Sequence, residues 1–294
     1  MAHELAAAFS TRVVRELSRP QPASWARQRV AAAAALVDDD TPLGVAFDAA
    51  YQQIADEYRC EYVFKTAVIR QALHTEPTAN PFVGLPVFVS IADVVIAGQT
   101  AAAFEIKTDL DSFSRLELQL CSYSRCFEKV FVVVSTNKVD RALDEVPNHV
   151  GVLMCDDDAR MTQARPASGG HSRMDITSLF RVLRQGERLA VLHRQTGYTA
   201  DVPSALLYRR TAELFARLPI EAAYNEFVTE LRGRDLRTRT AMRAAQLPDS
   251  LVAAGAALTL SAVAWRRLGD LLQRPSGQFV HEQSRTAPGH RRSA

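Results

Sequence analysis

Cysteine is rare in this sequence. The 294-residue chain has four cysteines, and no two of them form a C-x-x-C pair. This spacing excludes the usual zinc-ribbon pattern and a disulfide framework. We expect reduced thiols in the core or on helix faces at Cys60, Cys121, Cys126 and Cys155.

Signatures of several common chemistries are also missing. The seven histidines are scattered, without an H-x-x-x-H pair or a Cys/His cluster, so a transition-metal site is not expected. The sequence has no G-x-S-x-G motif, no Walker loop and no dinucleotide-binding glycine signature. These absences argue against hydrolases, NTPases and dehydrogenases that depend on those motifs.

No apolar stretch is long enough to be a clear transmembrane segment. The longest, "LVAAGAALTLSAVAW" at 251–265, is short for a bilayer span, so we expect a packed helix, with a membrane anchor as the alternative. The N-terminus has an early acid, Glu4, and no apolar core of signal-peptide type. We therefore predict a cytoplasmic protein without a membrane partner.

Lysine is much rarer than arginine, with four Lys and 31 Arg. The net charge of +2 is unevenly distributed, because residues 1–159 carry −8 and residues 160–294 carry +10. A basic half suits phosphate groups and therefore a nucleic-acid partner. The alternative is that separate solvated faces merely differ in sign.

The apolar patterns predict an α/β fold. Helical spacing extends over residues 1–74, and "FVGLPVFVSIADVVIAG" and "AAAFEIKT" follow as extended segments. A helix is predicted in "DSFSRLELQLCSYSRCF", beginning at Asp111 or Ser112. Two continuous apolar runs, "KVFVVVS" and "VGVLMCD", are typical of buried strands. The expected order is a helix, a three-strand antiparallel meander, a helix and further strands.

Five segments are predicted along the chain. They are an N-terminal helical extension (1–50), an α/β core (51–160), a flexible loop (161–175), a basic helical region (176–270) and a disordered tail (271–294). Turn residues throughout the loop and the polar composition of the tail support the last two boundaries.

One predicted hairpin brings two acids together. Two strand-like runs flank "GQT", a short connection containing glycine. If the hairpin is centred on Gln99, Asp93 lies opposite Glu105, and opposed residues point to the same face. Lys107 shares that face because side chains alternate along a strand. The other face, expected to be the core face, carries Val94, Phe104 and Ile106.

Two opposed carboxylates repel each other. A divalent cation with hard oxygen ligands relieves this repulsion, and a lysine beside it can hold a phosphate oxygen or an attacking water. Lys107 is one of only four lysines, so a lysine beside Glu105 is less expected by chance in this arginine-rich chain. The alternative is an exposed edge hairpin in which Glu105 and Lys107 form a loose surface pair. The opposed Asp93 and the helix that follows favour the site.

An ordered set of motifs carries a family resemblance. It consists of Asp93, then Glu105-Ile106-Lys107, then a helix with Gln119 and Tyr123. This order resembles the PD-(D/E)XK nuclease superfamily, and "QLCSY" resembles the Q-x-x-x-Y element of its RecB-like branch. Together with "YRCEYVFKTAVIRQAL" and "IADVVI", the region 51–155 is similar to an uncharacterised bacterial family within that superfamily. Ala92 stands where the first motif commonly has proline.

The resemblance implies a restriction-endonuclease-like core over 51–160 and a set of site residues. Asp93, Glu105 and the backbone carbonyl of Ile106 would ligate Mg²⁺ or Mn²⁺, and Lys107 would position or activate the hydrolytic water. Glu61 would be a further catalytic residue, because such nucleases often place an acid on the preceding helix near the metal. The alternative for Glu61 is an i,i+4 salt pair with Lys65.

The helix after the E-x-K strand provides candidate substrate-binding residues. Arg115, Gln119 and Tyr123 are spaced four apart, so they lie on one face and would face DNA or the active-site lysine. The alternative is a helix boundary with Tyr123 half buried. Asp109 and Asp111 are expected to act as caps.

The predicted function is metal-dependent hydrolysis of DNA phosphodiester bonds. What such nucleases commonly do suggests a role in defence against foreign DNA or in repair. Two alternatives stay open: a nucleic-acid-binding module on a nuclease-like scaffold that does not cleave, and a structural helical protein with a small mixed sheet. The presence of Asp93, Glu105 and Lys107 together favours chemistry.

Overall fold

The structure is a computed structural model that describes residues 2–280. The chain forms two compact units. Among the described residues, the first combines residues 2–66 with residues 237–280, and the second comprises residues 67–236.

Helices and strands alternate only in the middle of the chain. Five helices come first: α1 (Ala2–Ala8), α2 (Thr11–Leu17), α3 (Ser24–Ala34), α4 (Leu43–Glu57) and α5 (Glu61–Thr75). The sheet region follows: β1 (Asn80–Val87), β2 (Ser90–Ala97), β3 (Ala101–Lys107), α6 (Leu116–Ser124), β4 (Lys129–Ser135), α7 (Val139–Glu145), β5 (Gly151–Cys155) and β6 (Met161–Arg165). The remaining helices are α8 (Ile176–Val182), α9 (Gln185–Thr196), α10 (Ser204–Phe215), α11 (Ile220–Gly233), α12 (Leu236–Ala244), α13 (Val252–Ala256), α14 (Ala262–Leu272) and α15 (Gly277–Val280).

The first unit joins the two ends of the chain. Phe9 packs against Tyr62 with ring centroids 4.8 Å apart, and the Tyr62 hydroxyl donates to the Ser250 carbonyl at 2.6 Å. The backbone N–H of Leu43 donates to the carbonyl of Arg274 at 2.9 Å. Residues 271–280, predicted as part of a disordered tail, therefore belong to a packed unit and include α15. Residues 281–294 lie outside the described residues.

Two predicted helical segments are each divided in the structure. Helix α4 ends where the N–H groups of Tyr58 and Arg59 both donate to the Ile54 carbonyl, and Arg59 adopts φ 42°. A single left-handed residue leaves no trace in apolar spacing, so the sequence did not reveal this break. The apolar run 251–265 likewise contains the whole of α13 and only the start of α14. No helix among residues 2–280 is long and apolar enough to cross a membrane.

The second unit is an α/β domain built on a six-stranded mixed sheet in the order β1-β2-β3-β4-β5-β6. The first three strands form an antiparallel meander, β3, β4 and β5 are parallel, and β6 is antiparallel to β5. Helix α6 connects β3 to β4, and α7 connects β4 to β5. A parallel pair needs such a crossover connection. The meander, α6 and β4 follow the predicted order, whereas α7 was not predicted.

Both faces of strand β3 are buried, which corrects the expectation of one core face. Phe104 stacks on Phe131 on one side, with centroids 5.2 Å apart. On the other side, Ala101 and Ala103 belong to a large apolar cluster that also contains residues of α6, α8 and α11. A central strand in a parallel arrangement has both faces covered, because the crossover helix packs back onto the sheet.

The segment 161–175, predicted as a flexible loop, begins with strand β6. Its sequence, "MTQAR", has no apolar run, and its residues are exposed or half-buried. The strand is defined by its pairing with β5, from Cys155–Met161 to Val152–Arg165. Arg165 then donates to the carbonyls of Leu143, Val146 and Val150. These long-range backbone contacts have no signature in local sequence.

Candidate active site

The predicted register of the β2–β3 hairpin agrees with the structure. Val94 pairs with Phe104 and Ala97 pairs with Ala101, so one further step places Asp93 opposite Glu105. On the other side of β2, the pairs Val83–Val94 and Leu85–Ala92 place Gly84 across from Asp93. Gly84 adopts φ 70°, a conformation that favours glycine and distorts the strand next to Asp93.

Four side chains from β3 and α6 form one hydrogen-bonded cluster. The Lys107 ammonium donates to Glu105 Oε1 at 2.8 Å and to Gln119 Oε1 at 3.1 Å. The Tyr123 hydroxyl donates to Glu105 Oε2 at 2.7 Å. The structure thus brings together the E-x-K pair and both residues of the Q-x-x-x-Y pattern. We call these four residues the Glu105 cluster.

The Glu105–Lys107 pair is almost completely enclosed. Glu105 is 2% exposed and Lys107 is 7% exposed, so they are not the loose surface pair that was considered as an alternative. Burial of an ion pair is favourable only when hydrogen bonds satisfy the remaining polar atoms. Gln119 and Tyr123 supply those hydrogen bonds here.

Asp93 adjoins the Glu105 cluster from strand β2. Its side chain is half-buried, and Oδ2 accepts a hydrogen bond from the backbone N–H of Ile106 at 2.8 Å. Asp93 lies opposite Glu105 in the hairpin register, and directly opposed side chains point to the same face of a sheet. The three residues Asp93, Glu105 and Lys107 therefore lie on one side of the sheet.

Tyr123 is a fixed hydrogen-bond donor at the end of α6. It is fully buried, and its hydroxyl lies within hydrogen-bond distance of Glu105 and of the Ile91 carbonyl, the latter at 2.8 Å. Burial, followed by the charge of Glu105, raises the pKa of Tyr123 well above its usual range. The phenol therefore stays protonated at every pH at which the protein is expected to work. Tyr123 lies at the predicted helix boundary, but fully buried and not half buried.

We expect Tyr123→Phe to lower any activity of this site about 10- to 100-fold without unfolding the protein. The substitution keeps the ring and removes only the hydroxyl that orients Glu105. The check is a comparison of rate and of melting temperature for both proteins. An unchanged rate would contradict this positioning role.

Helix α6 begins later than predicted, which changes the roles of Asp111 and Arg115. It starts at Leu116, with Arg115 at the N-cap position. Asp111 instead closes the preceding loop, because its Oδ2 accepts from the backbone N–H and the hydroxyl of Thr108 at 2.9 and 2.7 Å. Of the predicted stripe, Gln119 and Tyr123 join the Glu105 cluster, whereas Arg115 is exposed.

Two contacts that sequence analysis missed hold the loop after β3. The Lys138 ammonium donates to the carbonyls of Thr108 and Asp111 at 2.5 and 2.6 Å. The Ser135 hydroxyl at the end of β4 donates to Asp109 at 2.5 Å. Lys138 is another of the four lysines. The scarcity that drew attention to Lys107 was therefore also a signal for Lys138.

Glu61 lies in the first unit, at the start of α5. It is exposed, and its Oε1 is 2.6 Å from the Lys65 ammonium, an i,i+4 ion pair. This is the contact expected under the structural alternative for Glu61. Asp93, Glu105 and Lys107 belong to the second unit.

Many arginines of the basic half are paired with acids. Arg194 contacts Glu226 and Glu230, and Arg234 contacts Glu187. Further pairs are Arg184 with Asp235, Arg209 with Glu213 and Arg210 with Asp201. These pairs favour a solvated, internally neutralised helix surface over a continuous phosphate-binding face in this region.

The oxygen atoms near the Glu105 cluster could supply only some of the ligands of a cation, and water or phosphate would supply the others. Among residues 2–280, no group of three or more His, Cys, Asp or Glu side chains could hold a metal ion. The candidate donors are the carboxylates of Asp93 and Glu105 and the carbonyl of Ile106. Mg²⁺ and Mn²⁺ take oxygen ligands, and Mg²⁺ commonly uses one or two carboxylates with water and phosphate. Each Glu105 oxygen also retains acceptor capacity beyond the one hydrogen bond it accepts, so the donor set fits.

The fold and site define an α/β protein with a buried acid–lysine–tyrosine cluster beneath a crossover helix. The chain belongs to the family of bacteriophage P4 protein cII, which matches residues 55–237, more than half of its length. This matched region includes the whole second unit. The family assignment therefore applies to the domain that carries the candidate site.

Two individual proteins are similar to parts of the chain. Protein cII of Enterobacteria phage P4 is 40% identical over 62 residues, which are 21% of this chain and 24% of the phage protein. A protein of unknown function from Silicibacter pomeroyi aligns structurally with 47% of this chain and 93% of its own, at 14% identity and a TM-score of 0.30. The sequence match to the phage protein therefore spans only about a quarter of that protein's length.

Proposed function

We propose that this protein is a metal-dependent nuclease that hydrolyses DNA phosphodiester bonds, with a restriction-endonuclease-like core of the PD-(D/E)XK type. The observation that carries this proposal is the Lys107 ammonium, held 2.8 Å from Glu105 and 3.1 Å from Gln119. Asp93 lies beside it on the neighbouring strand. The resemblance of the motifs suggests a role in defence against foreign DNA or in repair.

The proposed chemistry assigns one task to each group. Asp93, Glu105 and the Ile106 carbonyl would hold Mg²⁺ or Mn²⁺, which supplies charge neutralisation at the scissile phosphate and acidifies a bound water. Lys107 provides a compact positive charge beside the attacked phosphate. Gln119 holds the ammonium in place, and Tyr123 orients the second oxygen of Glu105.

A second candidate is a nucleic-acid-binding module that does not cleave. The observation that favours it is the near-complete enclosure of Glu105 and Lys107, since both Glu105 oxygens already accept hydrogen bonds from the protein. Such a cluster could stabilise the domain while DNA binds elsewhere on the surface.

A cleavage assay separates these candidates. The purified chain is incubated with linear, circular and single-stranded DNA in the presence of Mg²⁺, Mn²⁺ or EDTA. Cleavage or nicking that requires the cation supports the nuclease. A mobility shift without cleavage supports the binding module, and neither result on any of the three DNAs contradicts both.

A further inference from the structure

The loop that connects β1 to β2 presents apolar side chains to solvent. Val87 pairs directly with Ser90, so the loop consists of Phe88 and Val89. Phe88 is 43% exposed, Val89 is 62% exposed and the neighbouring Ile91 is 61% exposed. Exposed apolar side chains grouped in this way commonly mark an interaction site.

Phe88 also adopts an unfavourable backbone conformation. Its φ is 53°, and the first position of a two-residue hairpin loop with positive φ ordinarily favours glycine. For a bulky residue this conformation is an outlier, and such strain concentrates at functional sites. Glycine would fit this turn better, so the turn conformation does not explain the aromatic ring at this position. We infer that the ring has a separate role.

Two arginines face the Phe88 ring. The Arg125 guanidinium carbon is 5.1 Å from the ring centroid, and that of Arg181 is 5.9 Å away. The charge of Arg125 acts on the carboxylate of Asp175. Asp175 accepts hydrogen bonds from the N–H and hydroxyl of Ser178 at the start of α8. Burial would raise the pKa of Asp175, but these hydrogen bonds and the Arg125 charge lower it.

The Phe88 loop adjoins the candidate active site. The Tyr123 hydroxyl lies within hydrogen-bond distance of Glu105 and of the carbonyl of Ile91, three residues beyond Phe88. The Ser90 hydroxyl lies 3.3 Å from that of Ser122 on α6. Phe88 and Asp93 are five residues apart, at most about 17 Å along an extended chain. One short stretch of a nucleic-acid strand could contact both.

We propose that Phe88, flanked by Arg125 and Arg181, stacks on an unpaired base of a single-stranded nucleic acid held at this site. The Phe88 ring is 43% exposed and offers its uncovered surface to a base, while the two guanidinium groups beside it provide charge for the adjoining phosphates. Bases in a duplex are already stacked on their neighbours, so the platform distinguishes single-stranded from double-stranded segments. The inference that Phe88 selects the substrate of the nuclease rests on the proposed function. The binding of a single strand by Phe88 is tested independently of cleavage.

The test measures binding without cleavage. Fluorescence anisotropy in EDTA compares a labelled 20-nucleotide single strand with the duplex of the same length, for wild type, Phe88→Ala and Phe88→Trp. We expect wild type to bind the single strand more tightly than the duplex, and Phe88→Ala to lose about tenfold or more in single-strand affinity. Phe88→Trp should retain it. The exposed Leu206→Ala on α10 serves as a control with unchanged affinity.

Two further variants separate the ring from folding and from charge. Phe88→Gly should melt at or above the wild-type temperature, because it relieves the positive φ, and yet lose the same affinity. Arg125→Ala and Arg181→Ala should each reduce the salt dependence of binding by about one charge.

Three results would overturn the inference. These are unchanged single-strand affinity in Phe88→Ala, concentration-dependent dimerisation that requires Phe88, or Phe88-dependent sedimentation with phosphatidylglycerol vesicles in a protein that does not bind the single strand.

Cleavage is scored separately. If Phe88→Ala weakens binding but no form of the protein cleaves DNA, base stacking stands and the nuclease proposal fails. If wild type cleaves DNA and Phe88→Ala binds the single strand normally, the nuclease proposal stands and base stacking on Phe88 fails.

Discussion

Replacing Lys107 by methionine is expected to reduce DNA cleavage at least about 1,000-fold. Methionine keeps most of the length of the side chain and removes the positive charge that we propose to act on the scissile phosphate. Loss of one positioned charge-stabilising group typically costs about 100- to 1,000-fold in rate. Lys107 is also the group that would orient the water, so a larger loss is expected. The measurement is the initial rate of cleavage with saturating Mg²⁺.

Asp93→Asn and Glu105→Gln test the two carboxylates in the same assay. Both replacements keep the shape and an acceptor oxygen, so the hydrogen bonds from Ile106 and Tyr123 can persist while the negative charge is lost. We expect each variant to lose cleavage to a similar extent as Lys107→Met. Mg²⁺ should raise the melting temperature of wild type, because a ligand that binds the native state stabilises it, and it should not raise that of Asp93→Asn.

The control for this series is Lys129→Met. Lys129 is an exposed lysine at the start of β4, and its replacement should leave the rate unchanged. Glu61→Gln decides between the two interpretations of Glu61: a lost rate assigns it to the site, and a normal rate leaves it as the partner of Lys65. Full cleavage by Lys107→Met, or equal wild-type melting temperatures with and without Mg²⁺, would refute the proposed mechanism.

The second large effect is on stability, and it does not depend on whether the protein cleaves DNA. Lys107→Met leaves the Glu105 carboxylate buried without its cation, and Glu105→Gln leaves the ammonium without its anion. Removing one partner of a buried ion pair typically costs about 3–5 kcal/mol. We expect each single variant to lose about 3 kcal/mol in the free energy of unfolding, and the double variant to lose clearly less than their sum. Urea denaturation provides these values.

An exposed ion pair on the same domain provides the comparison. Arg141 and Glu145 on α7 are 2.6 Å apart, but their side chains are 56% and 45% exposed. Pairs of this kind contribute about 0.3–0.5 kcal/mol, so the corresponding cycle of Arg141→Met and Glu145→Gln should show little coupling. Equal coupling in both cycles would mean that the Glu105 cluster is hydrated in solution. The enclosure on which the site geometry depends would then be absent.

Some of the site followed from local rules. Counting from Gln99 gave the correct register for Asp93 and Glu105, because a hairpin pairs residues at equal distances from its turn. The spacing of four between Gln119 and Tyr123 placed both on one helical face, and both bond to the E-x-K residues. These relations involve residues within 30 positions of each other in one hairpin and the helix that follows it.

Other features required contacts that local sequence does not encode. The loop contacts of Lys138, the two arginines at Phe88 and the pairing of β6 with β5 all join separate elements. The start of α6 was misplaced because Asp111 can cap a loop as readily as a helix. Which of these it does is settled by Thr108 and Lys138, not by Asp111 itself.

The sequence alone determined the α/β class, the order of elements from β1 to β4 and the alternation that puts Asp93, Glu105 and Lys107 on one side. Periodicity and turn position are sufficient for these, since they depend on neighbours along the chain. Only the tertiary structure decided that the pair is enclosed, that both faces of β3 are covered and that the two ends of the chain share one unit. Burial depends on which distant segments pack together, and that choice is made by the whole chain at once.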